Sequence, residues 1–194
     1  MTDLERLRAR FELSTGVPER FFDAEAAAVA RACRAAAERF QRGGRLLVFG
    51  EGTEASDAQH VAVEFVHPVI VGKRALPALA LTADAAALTG ASRGGPVAFA
   101  PILAALGRPP DIALGISRAA PGPAVREGLA AARARGLLTI ALAGGAADPD
   151  AADFVFIVPS DDPMVVQEVQ ETLYHVLWEL VHVFFEHERA GEGS

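Results

Sequence analysis

His60 and Glu64 lie four residues apart in the run H-V-A-V-E. On a helix that spacing stacks an imidazole and a carboxylate on one face. A second pair, Gln167 and His175, sits near the other end of the chain, eight residues apart and so about 80° offset on a helical wheel. Imidazole nitrogen, carboxylate oxygen and amide oxygen together make a donor set suited to a borderline divalent metal such as zinc. The same histidine and glutamate can instead serve as acid and base, moving a proton between adjacent carbons. A plainer reading stays open beside both: His60 and His175 as histidines that hydrogen-bond across a helical interface.

The elements that must hold these residues can be read from the apolar pattern. The segment G-E-G-T-E-A-S-D-A-Q-H (50–60) directly follows the apolar run 46–49, which predicts a strand, a glycine-bearing turn and a helix carrying His60 and Glu64. Ligands of open α/β sheets bind beyond the carboxyl ends of the strands, where this turn falls. Four more short apolar runs, at 78–81, 112–116, 138–142 and 154–158, complete five strands. They are near-continuous rather than alternating, as expected for parallel strands covered by helices on both faces. Helices are expected at about 55–66, 84–91, 97–106 and 122–135, the last capped by Gly136. Two further helices, 3–13 and 22–41, precede the first strand, and a long one runs from about Pro163 to His187, with proline in its first turn.

Alternating β and α units with right-handed crossovers predict a doubly wound, flavodoxin-like sheet of five parallel strands. No linker or repeat divides the chain, so 1–194 reads as one domain, with 1–44 available for packing and oligomerisation and only 190–194 frayed. On the long terminal helix Leu173, Val176, Leu177, Leu180, Val181 and Phe184 form a stripe with Trp178 and Phe185 beside it, a pattern common at oligomer interfaces. His67, His182 and His187 lack matching partners, and His182 is expected at the polar edge of that helix.

Composition narrows the function classes. The 194 residues are 51% hydrophobic, ample for a buried α/β core, and the net charge of −7 argues against non-specific binding to nucleic acid or anionic membranes. Cys33 is the only cysteine, which excludes an internal disulfide and a cysteine-based zinc cluster, and a reducing cytoplasm fits best. The charged N-terminus M-T-D-L-E-R-L-R-A-R has no apolar h-region, and no apolar run reaches membrane-spanning length. The G-E-G turn lacks the third glycine of a dinucleotide fingerprint and is too acidic for pyrophosphate, and Ser117 has no evident base for a hydrolase triad.

Several motifs in order carry a resemblance. The run G-x-G-x-x-x-x-D-A-Q-H-x-x-x-E is followed by L-P-A-x-A-L-T-x-D (76–84) and A-L-G-R-P-x-D-x-x-L-G-I-S (105–117). The closing V-P-S-x-x-x-x-x-x-Q-E (158–168) then leads to His175. Together they resemble the sugar isomerase (SIS) domain family, specifically the phosphoheptose isomerase branch, which interconverts sedoheptulose 7-phosphate and a heptose phosphate. The resemblance implies a five-stranded parallel sheet, a homotetramer, and zinc bound by His60, Glu64, Gln167 and His175. It assigns the proton transfers to Glu64 and His175, and sugar-phosphate binding to the loops containing Gly52, Thr53, Glu54, Ser117 and Arg118.

The chain departs from that branch in its phosphate loops. Glu51-Gly52-Thr53-Glu54 stands where the family reads N-G-G-S after its first glycine, and Ile116-Ser117-Arg118-Ala119-Ala120-Pro121-Gly122 replaces I-S-T-S-G-N-S. Ser92-Arg93-Gly94 replaces G-N-D, and Met164 and Val165 replace an acid and an arginine. Arg118 can restore a phosphate contact, since guanidinium binds phosphate strongly, or it can pair with Glu51 or Glu54 and close the site. The expected function is metal-assisted aldose–ketose isomerisation of a sugar phosphate. The alternatives are isomerisation of an unphosphorylated or differently charged sugar derivative, and a catalytically silent SIS scaffold that binds a protein partner.

Overall fold

The computed structural model describes residues 1–92 and 98–191. Its elements run α1 (Asp3–Gln41), β1 (Leu46–Gly50), α2 (Glu54–Val66), β2 (Ala78–Ala80), α3 (Ala85–Ser92) and α4 (Ala100–Leu106). Then follow β3 (Ile112–Ile116), α5 (Pro123–Ala134), β4 (Leu138–Gly144), β5 (Phe154–Val158) and α6 (Pro163–Gly191). All five strands pair in parallel in the order β2-β1-β3-β4-β5, the doubly wound arrangement expected from the sequence. Every residue of β1, β3 and β4 is buried, which is why these strands read as continuous apolar runs.

Side chains alternate across the sheet and divide the core in two. Leu46, Val48, Leu114, Ile140 and Phe156 face one way, against α1, α2 and α6. Leu47, Phe49, Ala113 and Ala141 face the other way, against α4 and α5. Helices α2 and α6 therefore share one face, so residues more than a hundred positions apart in the chain become neighbours. Strand β1 sits between β2 and β3, and the crossovers through α2 and α5 leave on opposite faces. The crevice between the carboxyl ends of β1 and β3, where Gly50 pairs with Ile116, is thus the topological switch point.

Three expectations are corrected. The two N-terminal helices are a single helix of 39 residues with Pro18 inside it. A proline in a helix interior costs about 3 kcal/mol. Here Val17 and Phe21, each 2% exposed, continue the buried stripe of Val29, Cys33, Ala36 and Phe40 in helical register. Burying two such side chains stabilises by about 3–6 kcal/mol, which offsets the proline. Arg10 then fastens the first half of α1 to the start of α6, reaching Asp162 at 2.6 Å and Glu168 at 2.8 Å.

Half of the apolar stripe of α6 is buried inside the chain rather than left free for a partner. Leu173, Leu177, Trp178 and Val181 are buried, and Val176, Leu180, Phe184 and Phe185 pack against the same cluster, because α1 and α6 together cover that face of the sheet. Leu4, Leu7, Phe11 and Leu13 of α1 remain exposed.

His182 is buried rather than at a polar edge. Its Nδ1 lies 2.7 Å from the Trp178 carbonyl and its Nε2 2.9 Å from the Arg74 carbonyl, tying α6 to the segment that enters β2. Arg93 and Gly94, the start of the helix expected from residue 97, residues 192–194 and the side chain of His187 lie outside the described residues.

Candidate active site

The turn between β1 and α2 exists because of two glycines. A Cβ on Gly50 would meet the Glu54 Cβ at 2.8 Å and the Ile116 carbonyl at 3.0 Å, so any side chain there would push α2 off the strand end. Gly52 has φ +61°, a left-handed conformation that glycine adopts without strain. Helix α2 then starts at once and carries Glu54, Asp57, His60 and Glu64 along one side, with Ala58, Val61 and Phe65 in the core.

His60 and Glu64 meet as their spacing predicts: Nε2 lies 3.3 Å from a Glu64 carboxylate oxygen. His175, on α6, brings its ring to 5.3 Å from that of His60, the two planes at 71°. Histidine nitrogens and a carboxylate oxygen from His60, Glu64 and His175 all lie within 4.8 Å of one another. Metal bonds of about 2.0–2.2 Å place tetrahedral ligand atoms somewhat over 3 Å apart, so small rotamer adjustments close the group around an ion. Gln167 lies on α6 as well, about two turns before His175. Its amide nitrogen donates to Asp57 Oδ1 at 2.9 Å, and the carbonyl oxygen, the atom that could ligate, is left over.

Three partners around this group are absent from the expected set. The Tyr174 hydroxyl lies 2.8 Å from His60 Nδ1, and a Glu171 oxygen lies 3.7 Å from the same nitrogen. With Nδ1 engaged, Nε2 is the nitrogen left to face Glu64 and an ion, the second-partner arrangement that fixes a ligating histidine. Burial raises the Tyr174 pKa, and the charges of Glu171, Asp57 and Glu64 raise it further, so the phenol keeps its proton at neutral pH. Asp57 was legible in principle, since it stands one turn before His60 in D-A-Q-H. Tyr174 is the chain's only tyrosine, but its pairing depends on α6 lying beside α2, which no local pattern reveals.

Next to this group, at the switch point, lie the loops expected to hold a phosphate. Arg118 turns inward and pairs with the chain's own acids. Its backbone N–H donates to Glu54 Oε1 at 3.0 Å, and its guanidinium reaches Asp57 Oδ2 at 3.3 Å and Glu54 Oε1 at 4.0 Å. The three side chains are only 14%, 16% and 9% exposed for Arg118, Glu54 and Asp57. Thr53 Oγ1 donates to the other Glu54 oxygen at 3.0 Å, and Gly52 is exposed. Ser117 is fixed through its backbone, donating to Leu142 at 2.9 Å and accepting from the Gln170 amide at 2.8 Å. Val165, where the family carries an arginine, is buried in the core, while Met164 is exposed.

The model of the SIS domain family matches residues 11–144. The phosphoheptose isomerase of Solidesulfovibrio magneticus is 41% identical over 188 residues, 94% of this chain and 92% of that protein. The phosphoheptose isomerase of a Roseiflexus species is 38% identical over 174 residues, 88% of each chain. Among solved structures, a phosphoheptose isomerase from Francisella tularensis superposes with a TM-score of 0.84 at 29% identity, covering 94% of this chain and 99% of that one. The phosphoheptose isomerase from Neisseria gonorrhoeae gives a TM-score of 0.81 at 28% identity, covering 93% and 98%.

Proposed function

The chain belongs to the SIS domain family, and on that premise we propose that it is a sugar phosphate isomerase of the phosphoheptose isomerase type, built as one domain over 1–194. The observation that carries this reading is the convergence of His60, Glu64 and His175 from two helices onto one point, with Gln167 behind them. Structural decay would have no reason to keep four such side chains together.

Aldose–ketose isomerisation removes a proton from the carbon beside a carbonyl and returns one to the neighbouring carbon. Glu64, 17% exposed, holds a carboxylate at the mouth of the group and takes the proton from one carbon and delivers it to the next. His175, exposed and adjacent, moves the second proton between the two oxygens. His60, oriented by Tyr174, holds Glu64 in place.

The grouping of His60, Glu64 and His175 fits a zinc ion, which these three would hold with the Gln167 carbonyl as a fourth ligand. Such an ion would polarise the substrate carbonyl and steady the charge that develops on its oxygen. A homotetramer and a cytoplasmic setting belong to the same reading. The apolar face of α1 left exposed supports the first, and among the described residues no helix is long and apolar enough to cross a membrane. A silent scaffold is not favoured, because the proton-transfer residues are intact and grouped.

The test is turnover of sedoheptulose 7-phosphate in the presence of zinc. Glu64→Gln, which keeps the shape and removes the base, should lower kcat about 10²–10⁴-fold. No turnover by the wild type, with Glu64→Gln indistinguishable from it in zinc binding, would refute the enzyme reading.

A further inference from the structure

We propose that Glu171 is a positioning residue for His60. It accepts the proton of the Tyr174 hydroxyl, so that this hydroxyl accepts from His60 Nδ1 and leaves Nε2 unprotonated for an ion. The proposal rests on the isomerase reading for the use made of the ion, but the role of Glu171 is tested without turnover.

A phenol hydroxyl can donate or accept. The 2.8 Å contact between Tyr174 and His60 Nδ1 therefore holds the ring without deciding which of its nitrogens carries the proton. If the hydroxyl donates to Nδ1, a neutral imidazole keeps its proton on Nε2, the nitrogen that faces Glu64 at 3.3 Å, and cannot ligate there. If the hydroxyl accepts from Nδ1, Nε2 keeps its lone pair. Deciding between the two takes an acceptor for the phenol proton that outcompetes an imidazole nitrogen. A carboxylate does so, because its hydrogen bonds are charge-assisted.

Glu171 is that carboxylate by position. It stands on α6 three residues before Tyr174, so the two are neighbours on one side of the helix. Its Oε1 lies 3.7 Å from the same Nδ1 that Tyr174 contacts, so both side chains converge on one atom. Burial raises the Tyr174 pKa most, and of the charges that raise it further Glu171 acts most strongly, ahead of Asp57 and Glu64.

The other two carboxylates are already engaged. Asp57 holds Gln167 with one oxygen at 2.9 Å and Arg118 with the other at 3.3 Å, and Glu64 faces Nε2. The Glu171 side chain is 45% exposed, which leaves room for the small rotation that brings an oxygen onto the hydroxyl.

The experiment measures zinc affinity by competition against a chromogenic chelator for the full-length wild type, Glu171→Ala, Glu171→Gln, Tyr174→Phe and the double variant Glu171→Ala/Tyr174→Phe. Urea unfolding of the metal-free proteins is measured alongside. Glu171→Ala should weaken zinc about 10–100-fold, the loss that follows removal of an outer partner of a ligating histidine, with the urea midpoint unmoved. Glu171→Gln keeps an oxygen that accepts but loses its charge, and should fall between Glu171→Ala and wild type. Because Glu171 acts through the hydroxyl, removing it from Tyr174→Phe should cost no more than about a further twofold.

Unchanged zinc affinity in Glu171→Ala overturns the proposal. So does a loss that persists in full in the Tyr174→Phe background, which would make Glu171 a point charge acting on the ion directly. A urea midpoint that falls together with the affinity overturns it as well, since Glu171 would then serve only the helix. A wild type that binds no zinc removes the metal reading and this proposal with it. Absence of turnover with the affinity pattern intact counts against the isomerase reading alone. Circular dichroism on each variant confirms folding, and Glu171→Gln, being isosteric, keeps the comparison available if Glu171→Ala does not fold.

Discussion

Replacing Tyr174 by Phe separates a residue that sets the proposed metal site from one that merely packs. The Tyr174 ring is 2% exposed and is retained in the variant, so the only loss is the oxygen 2.8 Å from His60 Nδ1. A hydrogen bond of this kind contributes about 0.5–1.5 kcal/mol, and its removal leaves a nitrogen on a ring that is 36% exposed and able to reach water. The unfolding free energy should therefore fall by about 1 kcal/mol or less.

Zinc affinity should fall further, about 10–100-fold, because the outer partner of a ligating histidine holds its orientation. Without the hydroxyl, nothing at 2.8 Å accepts the Nδ1 proton that His60 must carry when Nε2, the nitrogen that faces Glu64 at 3.3 Å, ligates. The phenol stays protonated through the neutral range, so its own titration contributes nothing to the difference between the two proteins there. A competition titration against a chromogenic chelator measures the affinity, and urea unfolding of the metal-free proteins measures the stability. Zinc affinity equal to wild type would refute the reasoning and assign the orientation of His60 to Glu171, its other neighbour at 3.7 Å.

Three further outcomes follow from the structure. Asp111 is 1% exposed and accepts from the Arg45 backbone, the Arg45 guanidinium and the Arg108 backbone, so Asp111→Ala should lower the unfolding free energy by about 3 kcal/mol in urea. The Asp162 carboxylate accepts the Met164 N–H at the start of α6, then Val165 and Arg10, and these partners hold its pKa below the usual 3.8. A depressed folded pKa means stability that is present above 3.8 and lost as pH falls through the folded value. Acid unfolding of Asp162→Asn should accordingly show a shallower loss in that window. The Cys33 thiol, fully buried and pushed up to about 12 by that burial, should resist a thiol reagent in the native protein and react only on unfolding, which a time course of labelling reads directly.

The sheet was legible because of where it lies. Strands covered on both faces must be apolar at every position, and the runs 46–49, 112–116 and 138–142 announce this without help from the rest of the chain. The His60–Glu64 pair was legible for a similar reason, since four residues on a helix fix a face. The helix boundary placed near Pro18 was not, because the local rule against proline competes with a buried stripe whose value depends on α6 being there to bury it. His182 escaped for the same reason, as its partners are a carbonyl one turn back and another 108 residues away.

What the sequence determined by itself is therefore the donor set and the sheet, both written in short-range spacing and in continuous apolar runs. Tertiary structure alone decided what those donors face. Placing α2 and α6 on one side of the sheet brought Tyr174 to His60 and Asp57 to Gln167, contacts spanning more than a hundred residues. The sequence left Arg118 two partners, an incoming phosphate or the chain's own acids. The short turn after β1 brings Glu54 within 3.0 Å of the Arg118 backbone, a contact that no local pattern in the sequence reveals.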